Sequence, residues 1–371
     1  MEVRIDRDVF LNGVHKVQGI VESKGAMLIL SHLLLSTVKD GISIIGTDLE
    51  IGTSGFYSAN IISEGSVCLN AKKLFDILRE LPSLEVHLIK EENNWITLKC
   101  GKSKFRLPGL PPEDFPSLPE YSTEGLVEFS CSQLKEMIRK TIFALSPDES
   151  RQALNGLLLE KENDKANMVG TDGHRLAFIS RPLPLDKGKG GKNGKWDFLV
   201  PKKALSELLK LMEDDESTFS FSSKNNHIAF IQSQQVIVSR KIDGKFPNYK
   251  QVIPSDNNLK VMVKRDELQH ALKRVALLAD EKSKMVRFDI QKGNLTLVSD
   301  TTDLGAASED VSIDYQGDGV SIGLNAKYVL DVLSVIEDED ITLNLKDQNS
   351  SCLISVPNDK DYLSIVMPMR L

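Results

Sequence analysis

The sequence predicts an α+β protein in which one half-domain is built six times. Three observations carry that expectation. First, VRIDRDVFLNGVHKV from Val3, VEFSCSQLKEMIRKT from Val127 and VMVKRDELQHALKRV from Val261 each pass from a short alternating strand into a helix. Second, VCLNAKKLFDIL from Val67, FLVPKKALSELL from Phe198 and IGLNAKYVLDVL from Ile322 repeat the same passage. Third, strand pairs follow the helices around turns of the type Lys-Asp-Gly, Glu-Asn-Asp, Lys-Gly-Asn and Lys-Asn-Asn.

The helices are expected over residues 7–19, 70–81, 131–144, 202–213, 265–277 and 326–336. Their apolar residues recur three and four apart, as in Leu74, Ile77 and Leu78, Leu134, Ile138 and Ile142, or Leu268, Leu272 and Val275. That spacing makes one apolar stripe per helix, the stripe that packs on a sheet. Two helices and about eight strands per repeat imply helices lying on antiparallel sheets. Domains are expected over 1–122, 127–253 and 258–371, with LPEYSTEG and VIPSDNNLK as the connecting stretches where Pro, Ser, Gly and Asn interrupt the pattern. The ends of the first two units also match, PPEDFPSL with DGKFPNYKQV, so that Phe115 and Pro116 correspond to Phe246 and Pro247.

At 41% hydrophobic and 27% charged residues the composition is that of a globular chain, not of a disordered or fibrous one. The formal charge is -7, yet the six expected helices sum to +6, which leaves -13 for the rest. Helices all facing one way would therefore offer a weakly positive surface to a polyanion. Duplex nucleic acid held there would be bound through its phosphates without base readout. Cys68, Cys100, Cys131 and Cys352 form no CxxC pair, so buried thiols in a reducing compartment are expected and no metal site. The start MEVRIDRDVF has no apolar segment behind a basic head, and MLILSHLLL is too short to span a bilayer, so a cytoplasmic protein is expected.

GTDGHRLAF, from Gly170, places an acid, a histidine and an arginine together. An enzyme would use Asp172 to orient His174 as a base, but no nucleophile or metal-ligand spacing completes such a centre, and no catalytic residue is assigned. GTDLE at Gly46 and SDTTDLG at Ser299 stand at equivalent places in the other units, so the Thr-Asp pair belongs to the shared architecture. The loop DKGKGGKNGK, Asp186 to Lys195, lacks the GxxxxGK[ST] spacing of a phosphate cradle and reads as a basic surface loop; no cofactor is expected.

Together with the triple repeat, TDGHRLA at Thr171, LNG at Leu154, FPNY at Phe246 and the terminal VMPMRL at Val366 resemble the bacterial DNA polymerase III beta subunits, the sliding clamps, over essentially the whole chain. The resemblance implies the DNA clamp fold, three repeated sliding-clamp domains per chain, and a head-to-tail homodimer closed into a ring around duplex DNA. Twelve helices at roughly 10 Å between axes make a circle about 120 Å around, with an opening of roughly 28 Å for a duplex roughly 20 Å wide. It also implies a non-catalytic processivity factor that slides on DNA without sequence specificity. The implied partners are the DNA polymerase III alpha subunit, the clamp loader, other DNA polymerases, mismatch repair proteins and DNA ligase. The alternative is a scaffold that binds duplex DNA without encircling it.

Carried over by motif, the partner groove would be formed by Leu154, Thr171, Gly173, His174, Arg175, Leu176, Pro247, Val252, Ile365, Met367, Pro368 and Met369. Aliphatic walls and adaptable methionines suit varied Leu and Phe anchors. Gln251 stands where the family has an arginine, and Gln152 and Ala153 stand where it has two tyrosines. DNA contacts are expected from Lys24, Arg151, Lys202 and Lys203, with Lys135, Arg139 and Lys273 as further candidates. At the subunit interface Phe105 and Leu107 would meet Leu277 and Leu278, and Lys73, Lys102, Lys104 and Arg106 would face Asp303, Glu309 and Asp310.

Overall fold

The computed structural model describes residues 1–21, 27–123, 126–148, 150–183, 196–212 and 217–371. The first third runs β1 (Glu2–Asp6), α1 (Arg7–Gln18), β2 (His32–Val38), β3 (Gly41–Thr47), β4 (Ile51–Ser58), β5 (Asn60–Ser63), β6 (Ser66–Asn70), α2 (Ala71–Glu80), β7 (Glu85–Lys90), β8 (Ile96–Cys100) and β9 (Ser103–Leu107). The second runs β10 (Val127–Ser130), α3 (Cys131–Ile142), β11 (Gly156–Glu162), β12 (Lys165–Thr171), β13 (Arg175–Pro182), β14 (Asp197–Pro201), α4 (Lys202–Leu211), β15 (Thr218–Lys224), β16 (His227–Gln232) and β17 (Gln235–Arg240). The third runs β18 (Leu259–Lys264), α5 (Arg265–Val275), β19 (Met285–Gln291), β20 (Asn294–Thr301), β21 (Gly305–Asp314), β22 (Val320–Asn325), α6 (Ala326–Leu333), β23 (Asp340–Leu345), β24 (Cys352–Val356) and β25 (Asp359–Val366).

Local chemistry explains the element ends. The Asp6 carboxylate accepts the Asp8 and Val9 backbone N–H groups, and the Asn70 and Asn325 side chains accept those of Lys73 and Tyr328, so polar caps start α1, α2 and α6. The hairpin turns place Asp40, Asn163, Asn225 and Gly293 at positive φ, the residue types that tolerate that backbone. Leu74, Leu78, Leu134, Ile138, Leu268 and Leu272 are buried, as the helical stripes require.

Two compact units are present, residues 1–132 with 203–241, and 133–183 with 196–202 and 242–371. The first holds a five-stranded sheet, β5-β1-β7-β8-β9, and an eight-stranded sheet, β10-β15-β16-β17-β4-β3-β2-β6. One of its cores joins Phe10, Val14 and Val17 of α1 to Leu74 and Leu78 of α2. The second unit holds one twelve-stranded sheet, β14-β11-β12-β13-β25-β24-β23-β18-β21-β20-β19-β22. The sheets do not stop where the sequence repeat does. β4 of the first repeat pairs with β17 of the second, and β13 of the second pairs with β25 of the third. Among the described residues no helix is long and apolar enough to cross a membrane.

Candidate functional site

The Thr171–Arg175 turn is closed by its own side chains. Thr171 Oγ1 donates to the Arg175 carbonyl at 2.6 Å and accepts the Gly173 N–H at 3.1 Å. Asp172 Oδ1 accepts the backbone N–H groups of His174 and Arg175 at 2.8 and 3.0 Å, and Gly173, between Asp172 and His174, takes φ +91°. The other carboxylate oxygen takes Arg175 Nε at 3.1 Å, while Arg175 Nη1 donates to Asp331 Oδ2 at 2.6 Å. The guanidinium lies 4.4 Å from the Tyr328 ring centroid and both charges are buried, so the ion pair is desolvated and fully engaged. Asp172 therefore serves the main chain of His174 and the main chain and guanidinium of Arg175, with its carboxylate oxygens engaged away from the imidazole, unlike the acid of an enzymatic acid–histidine dyad. Among the described residues no group of three or more His, Cys, Asp and Glu is placed to hold a metal ion.

Above this turn lies an apolar cleft of about 110 Å³, lined by Leu154, Thr171, Gly173, Arg175, Leu176, Pro247, Tyr249, Val252, Ile365 and Met367. β13 and β25 form its floor, with Leu176 opposite Ile365, and the Met367 N–H donates to the His174 carbonyl at 2.9 Å. Leu176 and Ile365 share a buried cluster with Leu158, Val169, Leu199, Phe246 and Tyr249. Val252 and Met367 at the mouth stay 43% and 40% exposed, so apolar surface is left for an occupant. His174, Pro368 and Met369 fall outside this lining. The chain turns away after Met367, and the Met369 N–H donates to the Gly323 carbonyl at 2.8 Å, on the edge strand β22. Tyr249 was missed by motif reasoning; its signal was its place two residues after Pro247, in the stretch that closes the core.

The profile of the DNA polymerase III beta subunit N-terminal domain matches residues 1–119, that of the central domain 128–248 and that of the C-terminal domain 250–370. The beta sliding clamp of Pseudomonas putida is 34% identical over 372 residues, covering all of both chains. The chain belongs to the beta sliding clamp family. The crystal structure of the DNA polymerase III subunit beta from Pseudomonas aeruginosa superposes with a TM-score of 0.94 at 32% identity over the whole of both chains. A sliding clamp from Bartonella birtlesii, solved bound to griselimycin, gives 0.95 at 30% identity, again over both whole chains. This clamp chain is thus a processivity factor of DNA replication, with the α+β architecture of three clamp domains.

The expected DNA contacts of the clamp are scattered in their surroundings. Lys24 lies outside the described residues, as does the basic loop 186–195. Arg151 is exposed beside the groove, donating from Nη1 to the Asp172 carbonyl at 3.3 Å with Nε 3.6 Å from Asp148. Lys202 is exposed at the start of α4. Lys203 is ion-paired with Asp48 and reaches the Ile20 carbonyl at 3.3 Å, so part of its charge is spent within the chain. Arg139 and Lys273 are exposed and Lys135 is half-buried. Gln152 lies in a short 3₁₀ turn with Ala153, which packs against the groove cluster.

At the expected interface, Phe105 and Leu107 lie half-buried on β9, the last strand of its sheet, against the first core. Lys73, Lys102 and Lys104 are exposed, whereas Arg106 pairs with Glu91 at 2.9 Å and covers the Trp95 ring. Leu277 is 78% exposed and Leu278 half-buried beyond the end of α5. Asp303 is exposed, but Glu309 is bound by Arg274, and Asp310 accepts from Thr296 at 2.6 Å and Asn294 at 3.1 Å. Two of the three expected counter-charges therefore already have partners within the chain.

Proposed function

We infer that two copies of this clamp chain close head to tail into a ring around duplex DNA and slide on it, tethering replication and repair proteins through the Leu176 groove. The supporting observation is a pattern of strand addition. β4 takes the last strand of the second repeat, β17, and β13 takes the last strand of the third, β25. By the same rule β21 would take the last strand of a first repeat, β9, supplied by a second copy. Both edges are available: β9 ends its sheet, and on its outer side β21 pairs with β18 only at Ile313 and Asp314.

The register follows too. The hairpin partners Ser58, Pro182 and Ser312 make Ile51, Arg175 and Gly305 equivalent, and Ile96, Ile228 and Cys352 make Leu107, Ser239 and Val366 equivalent. The pairs Ile51 with Ser239 and Arg175 with Val366 then set Gly305 opposite Leu107 of the second copy and Ala307 opposite its Phe105. The two seams inside the chain end in a polar pair, Tyr57 with Gln235 at 2.8 Å and Arg181 with Asp359 at 2.6 Å. The corresponding residues of the subunit seam are Val311 and Ser103, which makes it the seam suited to opening.

A ring needs no tight grip, because phosphate contacts are interchangeable along the duplex, and linkage itself keeps a tethered polymerase at high effective concentration. The groove would receive short Leu- and Phe-bearing motifs of the DNA polymerase III alpha subunit, the clamp loader, other polymerases, mismatch repair proteins and ligase. The chain itself would carry out no chemistry, in the cytoplasm where the chromosome is copied. Native mass measurement tests the closure: the ring requires twice the 41.2 kDa of one chain, and Phe105→Arg should release monomers. A wild-type monomer at micromolar concentration would contradict it.

A further inference from the structure

We propose that Glu160 is a positioning residue for motif binding, acting by holding the Tyr249 phenol and with it one wall of the groove. The inference rests on the groove reading given above and deepens it. Tyr249 separates two environments. Its ring lines the apolar cleft and stacks on Phe178 at 5.8 Å between centroids. Its hydroxyl donates to Glu160 Oε1 at 2.6 Å, and Glu160 in turn lines a polar recess of about 210 Å³ with Lys161, Glu162, Trp196, Asp197 and Lys250.

The strand period explains why an acid stands there. Leu158 and Glu160 point to the same side of β11, and Glu160 is where the apolar cluster containing Leu158 and Val169 gives way to polar surroundings. Across the ladder Asn167, itself buried, donates to Glu160 Oε1 at 3.1 Å and to Glu162 Oε2 at 3.3 Å, and Lys250 closes on both oxygens of Glu162 at 2.8 and 2.7 Å. Tyr249 and Lys250 are adjacent on the same short 3₁₀ turn, and the next groove residues along the chain, Pro247 and Val252, flank it. The turn is thus pinned at two points by β11, through Glu160 and Glu162. Burial, and then the Glu160 hydrogen bond, push the Tyr249 phenol well above its ordinary range, so it remains a neutral donor throughout the working pH range.

A side chain fixed by a charge-assisted hydrogen bond offers an occupant a wall already in place, and affinity is gained by not having to order it on binding. Without the acceptor, the phenol is left with an unmet donor and the turn is free to lean into or away from the cleft. The change would appear in the binding of a motif and not in ring closure, because neither β9 nor β21 contributes a residue to the groove or to the recess.

The test uses the full-length clamp and a fluorescein-labelled synthetic peptide carrying two leucines and a phenylalanine, followed by anisotropy. Glu160→Ala and Tyr249→Phe should each raise Kd about tenfold, the double variant no further, because the two groups act as one unit. Glu160→Gln should stay within about twofold of wild type, since its amide oxygen still accepts the phenol proton. That rescue separates positioning from a general loss of stability, and Tyr249→Phe keeps the test alive should Glu160→Ala fold poorly. Wild-type affinity in Glu160→Ala, multiplying effects in the double variant, or failure of Glu160→Gln to rescue would each overturn the proposal. If the wild-type clamp binds the peptide but Val252→Asp does not abolish binding, the groove reading falls; if Val252→Asp abolishes it and Glu160→Ala does not weaken it, only the present inference falls.

Discussion

The turns at Thr47–Ile51 and Thr171–Arg175 have the same skeleton and different uses. Thr47 Oγ1 donates to the Ile51 carbonyl at 2.9 Å, Asp48 Oδ1 accepts from the Glu50 and Ile51 N–H groups at 2.9 and 2.7 Å, and the Arg240 N–H donates to the Glu50 carbonyl at 2.8 Å. Each bond has its counterpart in the second turn, where Met367 replaces Arg240. What differs is the side chains hung on that frame. Leu49 stands for Gly173, Ile51 for Arg175, and Gly52 for Leu176. A Cβ on Gly52 would collide with Leu118, the counterpart of Tyr249, so in the first copy the chain fills its own site. The threonine and aspartate build a turn; the three residues after them decide whether it carries a groove.

Of the side chains that set the second turn apart, Arg175 is the one whose loss costs most. Arg175→Ala leaves the buried Asp172 without its cation and the half-buried Asp331 without its partner, a loss of about 3–5 kcal/mol, and should abolish peptide binding as well as shift urea unfolding. Leu176→Gly, which copies the first turn, removes a buried side chain worth about 2–3 kcal/mol, and should raise peptide Kd on the order of a hundredfold by anisotropy. Gly173→Leu, which copies Leu49, imposes a left-handed backbone on a branched residue at a cost of roughly 1–2 kcal/mol and crowds the cleft, so Kd should rise about tenfold. In the first turn, Leu118→Ala should lower unfolding stability by about 1–2 kcal/mol, discounted for its partial exposure, and leave peptide Kd unchanged. The smallest effect is expected from deleting Met369–Leu371, about a twofold change in Kd on the order of a single backbone hydrogen bond away from the cleft, whereas Met367→Ala should weaken binding several times more.

The six strand-helix entries were legible because they are local: the apolar stripes, the polar caps and the turn residues Asp40, Asn163, Asn225 and Gly293 act within a few positions of themselves. Most of the groove lining was legible too, through motifs whose residues fall together on β13 and β25. What escaped depends on distant partners. Nothing near Lys203 announces that Asp48 will take its charge, nor near Glu309 that Arg274 will. The sheets that run across the repeat boundaries, the departure of Met369 toward Gly323 and the hold of Glu160 on Tyr249 are likewise set by pairing between segments far apart in sequence. Alternation alone cannot choose among equally good edges.

Encirclement is the central element of the proposed function, and retention on DNA tests it most directly. The clamp is loaded onto a nicked circular plasmid, freed of unbound protein, and followed before and after a single cut by a restriction enzyme. Topological linkage predicts that the clamp stays with the circle and leaves soon after linearisation, with little dependence on DNA sequence. Equal retention on circular and linear DNA would contradict encirclement and leave a protein that merely adheres to the duplex surface.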